Sequence, residues 1–386
     1  ELWRDSTTNG NGQRLAISRT FDVLNNPGPD TAPNPAANPN PSEDLISTRV
    51  GATAAQFRVD ESGAASYSIP ILTAPSGGGM APQLALSYSS QAGNGIAGMG
   101  WSLSGLSMIS RCGPSIESGD AQNGGLTISQ QDRFCLDGQR LVLVSGEYGS
   151  NGAEYRTELD NIARIQSFGI LRSGTSWFKV WRKDGSISWY GAISDTGANH
   201  SSRIMSKLPG GEVFSWAIGR IQDSAGNYME FDWQDSHPAN NKLETVLAAV
   251  RYGGHATRTI ISPYNRIELS YQSRPATDQT SGWVAGVELV STRRLTQIRS
   301  LADGQELRRY NLNYRLDGDG VSRSALASIQ ECNNSTCYPA TTFDWKRGDV
   351  KLGSLSASGF IERSLPNADR IVSQQPGDIN GDGLVD

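Results

Sequence analysis

The chain has 386 residues, including 43 Gly and 17 Pro, and 19% of it is charged. Its 34 basic and 39 acidic residues give a formal net charge of -5, unlike the basic footprint of a nucleic-acid-binding domain. A hydrophobic share of 37%, with 9 Trp and 12 Tyr, supports a core and excludes wholesale disorder. No apolar run is long enough for a membrane-spanning helix. The opening Glu1-Leu2-Trp3 lacks a basic stretch and an apolar h-region, so any secretory signal is expected to be cleaved or to lie outside this sequence.

In chain order, residues 1–48 read as an extended arm or linker. Pro27, Pro29, Pro33, Pro35, Pro39 and Pro41 prevent a helix or a central strand there. Leu15 to Phe21 can still form one strand. Residues 49–346 read as β throughout. Ala65 to Ile71 alternates and stops at Pro75 and the Gly77-Gly78-Gly79 turn. Gln83 to Ser89 alternates again, with Leu84, Leu86 and Tyr88 on one face. Trp177–Lys183 and Ser186–Tyr190 flank Asp184-Gly185, a hairpin turn. Val213–Gln222 and Tyr228–Trp233 form a second expected hairpin, and Arg266–Tyr271 a further strand. A similar strand–turn–strand unit spans Leu295 to Tyr314 around Asp303-Gly304. Hairpins in series predict an all-β fold, either a β-shell or a large β-sandwich. Gly93 to Gly100 supplies turns and close backbone approach, and Trp101 after it is an expected core anchor. The loop lacks the Lys of a phosphate-cradling motif.

The four cysteines, Cys112, Cys135, Cys332 and Cys337, fall in two local groups within loop-like sequence. Local pairing is the simplest of three connectivities, and free thiols remain an alternative. Zinc is disfavoured, because neither group has short CxxC spacing or a neighbouring His. Disulfides would place the chain in an oxidising compartment.

Several ordered segments resemble the N-terminal domain of the SpvB family. They are Gly63 to Ile71, Pro75 to Pro82, Leu84 to Ser90 and Gly93 to Leu103. Ile109 to Cys112, Asp132 to Leu141, Trp177 to Gly191 and Glu331 to Pro339 extend the match. That domain is shared with the B component of insecticidal toxin complexes and with secreted RHS/YD-repeat proteins. The resemblance implies a non-catalytic part of a bacterial β-shell that encloses or helps deliver a C-terminal effector. Its partners would be the rest of the same polypeptide or complex, with a host-surface receptor possible, and its location secreted or cell-surface. The rival reading is an adhesin or carbohydrate-binding module. It would be favoured by solvent-exposed aromatics such as Trp177 or Trp189.

Residues 347–386 read as a linker and the start of a further repeat. Asp378, Asn380, Asp382, the Leu384 carbonyl and Asp386 offer oxygens at alternate positions, with Gly383 permitting a bend. Such hard oxygen donors suit calcium, and the motif resembles the calcium loop of FG-GAP/VCBS propeller repeats. Asp317 to Gly320 is expected as a hairpin tip with weak calcium capacity. His200, His237 and His255 lie in no HExxH motif and are expected at the surface or in loops. No GxSxG elbow is present. Arg347-Gly348-Asp349 is an isolated integrin-type tripeptide, and Asn199, Asn333 and Asn334 begin glycosylation sequons.

Overall fold

Alternating apolar residues and closely spaced turns produce 27 strands among the described residues. The computed structural model describes residues 21–23 and 51–345, apart from 62, 121, 160–161, 172–173, 239, 257–260 and 317–322. These belong to the unit Thr20–Trp345; the second unit, Glu1–Arg19 with Lys346–Asp386, lies outside them.

The first strands are β1 (Phe21–Val23), β2 (Gln56–Val59), β3 (Ala65–Pro70), β4 (Ala85–Ser89), β5 (Asn94–Gly95), β6 (Gly98–Met99) and β7 (Trp101–Ser104). Next come β8 (Met108–Cys112), β9 (Arg133–Leu136), β10 (Gln139–Ser145), β11 (Glu154–Thr157), β12 (Arg164–Leu171), β13 (Gly174–Trp181), β14 (Ile187–Tyr190), β15 (Arg203–Met205) and β16 (Val213–Gln222). The last are β17 (Asn227–Asp235), β18 (Lys242–Leu243), β19 (Thr245–His255), β20 (Asn265–Ser273), β21 (Thr280–Val284), β22 (Val287–Ser291), β23 (Arg293–Ala302), β24 (Gln305–Leu316), β25 (Ser324–Asn333), β26 (Thr336–Cys337) and β27 (Thr341–Trp345). The remaining regular structure among the described residues is three single 3-10 turns, Gly77–Gly79, Ile116–Ser118 and Ala276–Asp278.

Eight strands close a barrel. The pairing runs from β8 through β9, β10, β11, β12, β13 and β14 to β16, which returns to β8. Closure removes the unpaired edges that a short meander would otherwise expose. The inward residues fill the barrel, as expected at this strand number. Phe134, Tyr155, Phe178 and Trp216 are all buried there, and the rings of Phe134, Phe178 and Trp216 meet edge to face.

The sheet then leaves the barrel. Antiparallel pairing continues from β16 through β17, β19, β20, β23, β24 and β25 to β27 and β1. The small sheet β2-β3-β4-β7 is antiparallel throughout. Its Tyr67, Ile69, Leu86, Tyr88 and Trp101 join the barrel and the extended sheet in one core cluster. Trp101 is the anchor the sequence suggests: it is buried, and its ring packs on Tyr67, Tyr88 and Phe343. Burying each such side chain contributes about 1.5–3 kcal/mol. A third sheet places β22 between β21 and β18, the latter parallel.

The all-β class is what the structure shows. The Asp184-Gly185 turn joins β13 to β14, and the Asp303-Gly304 turn joins β23 to β24. The barrel closure is an additional feature, because the pairing of β8 with β16 joins Ile109 to Trp216, far apart in sequence. Of the suggested Leu15–Phe21 strand, the described part begins at Phe21; the rest of the 1–48 arm lies outside the described residues.

Candidate assembly surface

The glycine-rich segment before Trp101 folds into the β5–β6 hairpin, clamped by buried charge. Arg274 and Asp278 form an ion pair at 2.8 Å with both side chains fully buried. Asn94 Nδ2 donates to Asp278 Oδ1 at 2.9 Å, and Arg274 Nη1 donates to Asn94 Oδ1 at 3.2 Å. Arg274 Nη2 also donates to the Gly95 carbonyl, and Ser324 Oγ donates to Asp278 Oδ2. Burial alone would raise the Asp278 carboxyl, but the hydrogen bonds from Ser324 and Arg274 and the guanidinium charge hold it below the usual range. Two glycines are required by close approach: a Cβ on Gly95 would lie 2.1 Å from the Trp101 carbonyl oxygen. One on Gly98, where φ is +96°, would lie 2.7 Å from that of Ser324. The motif is therefore a packing joint between the small sheet and β25.

The segment Leu72 to Pro75, which leads into the Pro75–Pro82 motif, is a strap tied to the extended sheet by tyrosines and Asn265. Leu72 N–H donates to Tyr310 Oη at 3.1 Å, and Ala74 N–H to Tyr252 Oη at 2.8 Å. Asn265 Nδ2 donates to the Pro75 carbonyl at 3.0 Å. Burial pushes the Tyr310 phenol up to about 12 and raises that of Tyr252, so both stay neutral acceptors. Sequence reasoning missed Arg274, Asp278, Tyr252 and Tyr310. Tyr252 and Tyr310 meet Ala74 and Leu72 well over a hundred residues away, as Arg274 and Asp278 meet Asn94, and no local spacing marks these contacts.

The cysteines pair locally, Cys112 with Cys135 and Cys332 with Cys337. The second bond joins directly opposed residues of β25 and β26. The histidines do not converge. His200 and His237 lie in loops, as expected, and are part-buried against polar partners, whereas His255 is the last residue of β19. His200 Nδ1 lies 2.9 Å from Ser202 Oγ, and His237 Nε2 lies 3.2 Å from Glu244 and 3.0 Å from Thr292. Among the described residues no group of three or more His, Cys, Asp or Glu is placed to hold a metal. Trp177 and Trp189 are 4% and 5% exposed, which counts against the rival carbohydrate-binding reading at these indoles. Trp177 stacks on Phe168 instead, and Trp189 Nε1 donates to Asp195. The calcium-type set Asp378, Asn380, Asp382, Leu384 and Asp386 lies outside the described residues, as do Asp317 to Gly320 and Arg347-Gly348-Asp349.

What the surface offers is strand edges. Among the described residues, β2 pairs only with β3, β21 only with β22, and β1 only with β27. The β21 edge carries no charge or proline, the usual protections, and its Trp283 is 69% exposed. Past Arg140, β10 pairs with β11 alone, leaving Val142, Leu143 and Val144 exposed. Among the described residues no helix is long and apolar enough to cross a membrane.

A closed, packed eight-stranded barrel whose sheet continues outside it through β17 to β27 and β1 defines an all-β fold. The family described as Salmonella virulence plasmid 65kDa B protein, SpvB, matches residues 59–260. That is just over half of the sequence, and the chain belongs to this family. No curated protein matches. The solved complex TcdB2-TccC3 has a TM-score of 0.59 at 17% identity, over 75% of this chain and 17% of that one. The N-terminal domain of the effector protein SpvB from Salmonella typhimurium strain LT2 has a TM-score of 0.51 at 19% identity. It covers 69% of this chain and 99% of that one. The Photorhabdus luminescens Tc holotoxin pore has a TM-score of 0.56 at 16% identity, over 72% of this chain and 15% of that one. At these identities the likeness is one of fold, and the chain spans about a sixth of the length of the toxin-complex chains.

Proposed function

We propose that the chain is a non-catalytic structural module of a secreted bacterial toxin-complex-type protein of RHS/YD-repeat kind. It forms part of a shell wall that encloses or helps deliver an effector. Its partners are then the remainder of the same polypeptide or complex. The observation that carries this reading is the sheet that runs out of the closed barrel and, among the described residues, reaches β27 and then β1, whose other side has no described partner. A self-sufficient domain protects such an edge, whereas a shell segment hands it to the next strand. Family membership and the shared fold of toxin-complex chains support the same reading. The terminal donor set Asp378, Asn380, Asp382, Leu384 and Asp386 fits calcium by its chemistry, and a bound calcium at the start of a propeller repeat belongs to the proposal.

Cryo-electron microscopy of the intact gene product tests it. The expected result is further strands paired to the β27–β1 end and an enclosed interior. An intact protein with those edges in solvent and no enclosed volume would sink it.

A further inference from the structure

A cleft of about 460 Å³ opens beside β15 and β17, lined in part by Asn199, His200, Arg203, Lys207, Trp233 and Asp235. Its charges do not balance. Lys207 is consumed by Asp235, to which its Nζ donates. Asp232, the carboxylate nearest His200 at 3.8 Å, is held by Arg251 through two bonds of 2.7 and 2.8 Å. Burial lowers the pKa of His200, Asp232 raises it in part, and the charges of Arg251 and Arg203 lower it further. The imidazole is therefore neutral near pH 7. Arg203 is left over. It is 8% exposed, and Nη2 donates to the Gly197 carbonyl at 3.0 Å. Its Nε–H is buried without any hydrogen-bond partner. Among the described residues no carboxylate lies within ion-pairing distance of it. A buried guanidinium with no counter-charge is costly, and this one lines the cleft.

We propose that this cleft binds a small monoanion of carboxylate type, with Arg203 as its principal anchor. One uncompensated positive charge matches one negative charge. A planar carboxylate also fits the fork of a guanidinium, whereas a dianion would leave a net negative charge in the cleft. The Trp233 indole N–H is already spent on the Ile218 carbonyl at 2.8 Å, so its ring supplies apolar wall rather than a second donor. The site stands apart from the strand edges invoked for assembly and does not rest on that role.

Isothermal titration of the whole chain with sodium acetate, against chloride at matched ionic strength, tests the assignment. Saturable acetate binding is expected, weakened about tenfold or more in Arg203→Met. Asn199→Asp is the second variant, because Asn199 is exposed on the cleft rim and tolerates change. Its added charge should weaken acetate roughly threefold. Inorganic phosphate at pH 8, as a dianion, should bind less tightly than acetate. No saturable binding by the wild type would overturn the proposal, as would equal binding by Arg203→Met or tighter binding of phosphate. If Arg203→Met does not fold, unchanged acetate affinity in Asn199→Asp overturns it alone.

Discussion

Arg274 and Asp278 show how much one residue pair can hold. They fix the β5–β6 hairpin, the N-terminal end of β25 and the loop after β20 at a single point. Asp278→Ala leaves a fully buried guanidinium unpaired, which costs about 3–5 kcal/mol; the urea midpoint should fall accordingly. The pair also gives a pH signature. Because the folded Asp278 carboxyl titrates below its usual range, its stabilisation is complete above the unfolded value of about 3.9. It is lost as pH falls through the lower folded value. Wild-type stability should therefore drop in that acid window, and Asp278→Asn should lose that part of the slope. A variant with the wild-type acid slope would count against the coupling. Trp101 was legible because a large indole closing a glycine loop is a local signal. The Arg274–Asp278 clamp was not, since a charged pair four residues apart reads as surface until Asn94 and Ser324 fold onto it.

At the level of elements, the hairpins were legible because both of their signals are local. Alternation places Met229, Phe231 and Trp233 on one face of β17, and Asp303-Gly304, with φ of +47° and +77°, supplies a two-residue turn that matches strand twist. The strap was illegible, since its backbone donors pair with phenols on other strands. Tyr252→Phe should leave the Ala74 N–H buried without an acceptor, at a cost of about 1–3 kcal/mol. Chemical denaturation measures this, and a loss of only a few tenths would show that the strap is not held this way. The disulfides act on the unfolded chain. By loop length, Cys112–Cys135, 23 residues apart, should contribute about 3 kcal/mol and Cys332–Cys337, 5 apart, about 2 kcal/mol. Paired Cys→Ser substitutions at each bridge, compared by thermal melting, should reproduce that order. The reverse order would place the effect in the native state rather than in chain entropy.

Across the whole molecule, the sequence carried the β class but not the closure. Pairing β8 with β16 brings Ser110 against Ser215 and Ile109 against Trp216, and nothing near either residue announces its partner. The barrel strands β8, β13 and β16 have neighbours on both sides, so their amides open only with much of the barrel. Those of β2 and β21 have a neighbour on one side alone among the described residues. Native-state hydrogen exchange should therefore separate two classes. Amides of β8, β13 and β16 should exchange slowest, by global opening, and those of β2 and β21 fastest, by local opening. The β27–β1 end decides what the open sheet is for. β27 is paired with both β25 and β1, so in the 386-residue chain it is the β1 amides, with a neighbour on one side among the described residues, that should exchange like the other edges. In the intact gene product they should slow toward barrel values, because a shell strand paired on both sides opens only with the shell. Fast exchange at β1 in the intact product would mean that the sheet ends there, and the shell reading would fail with it.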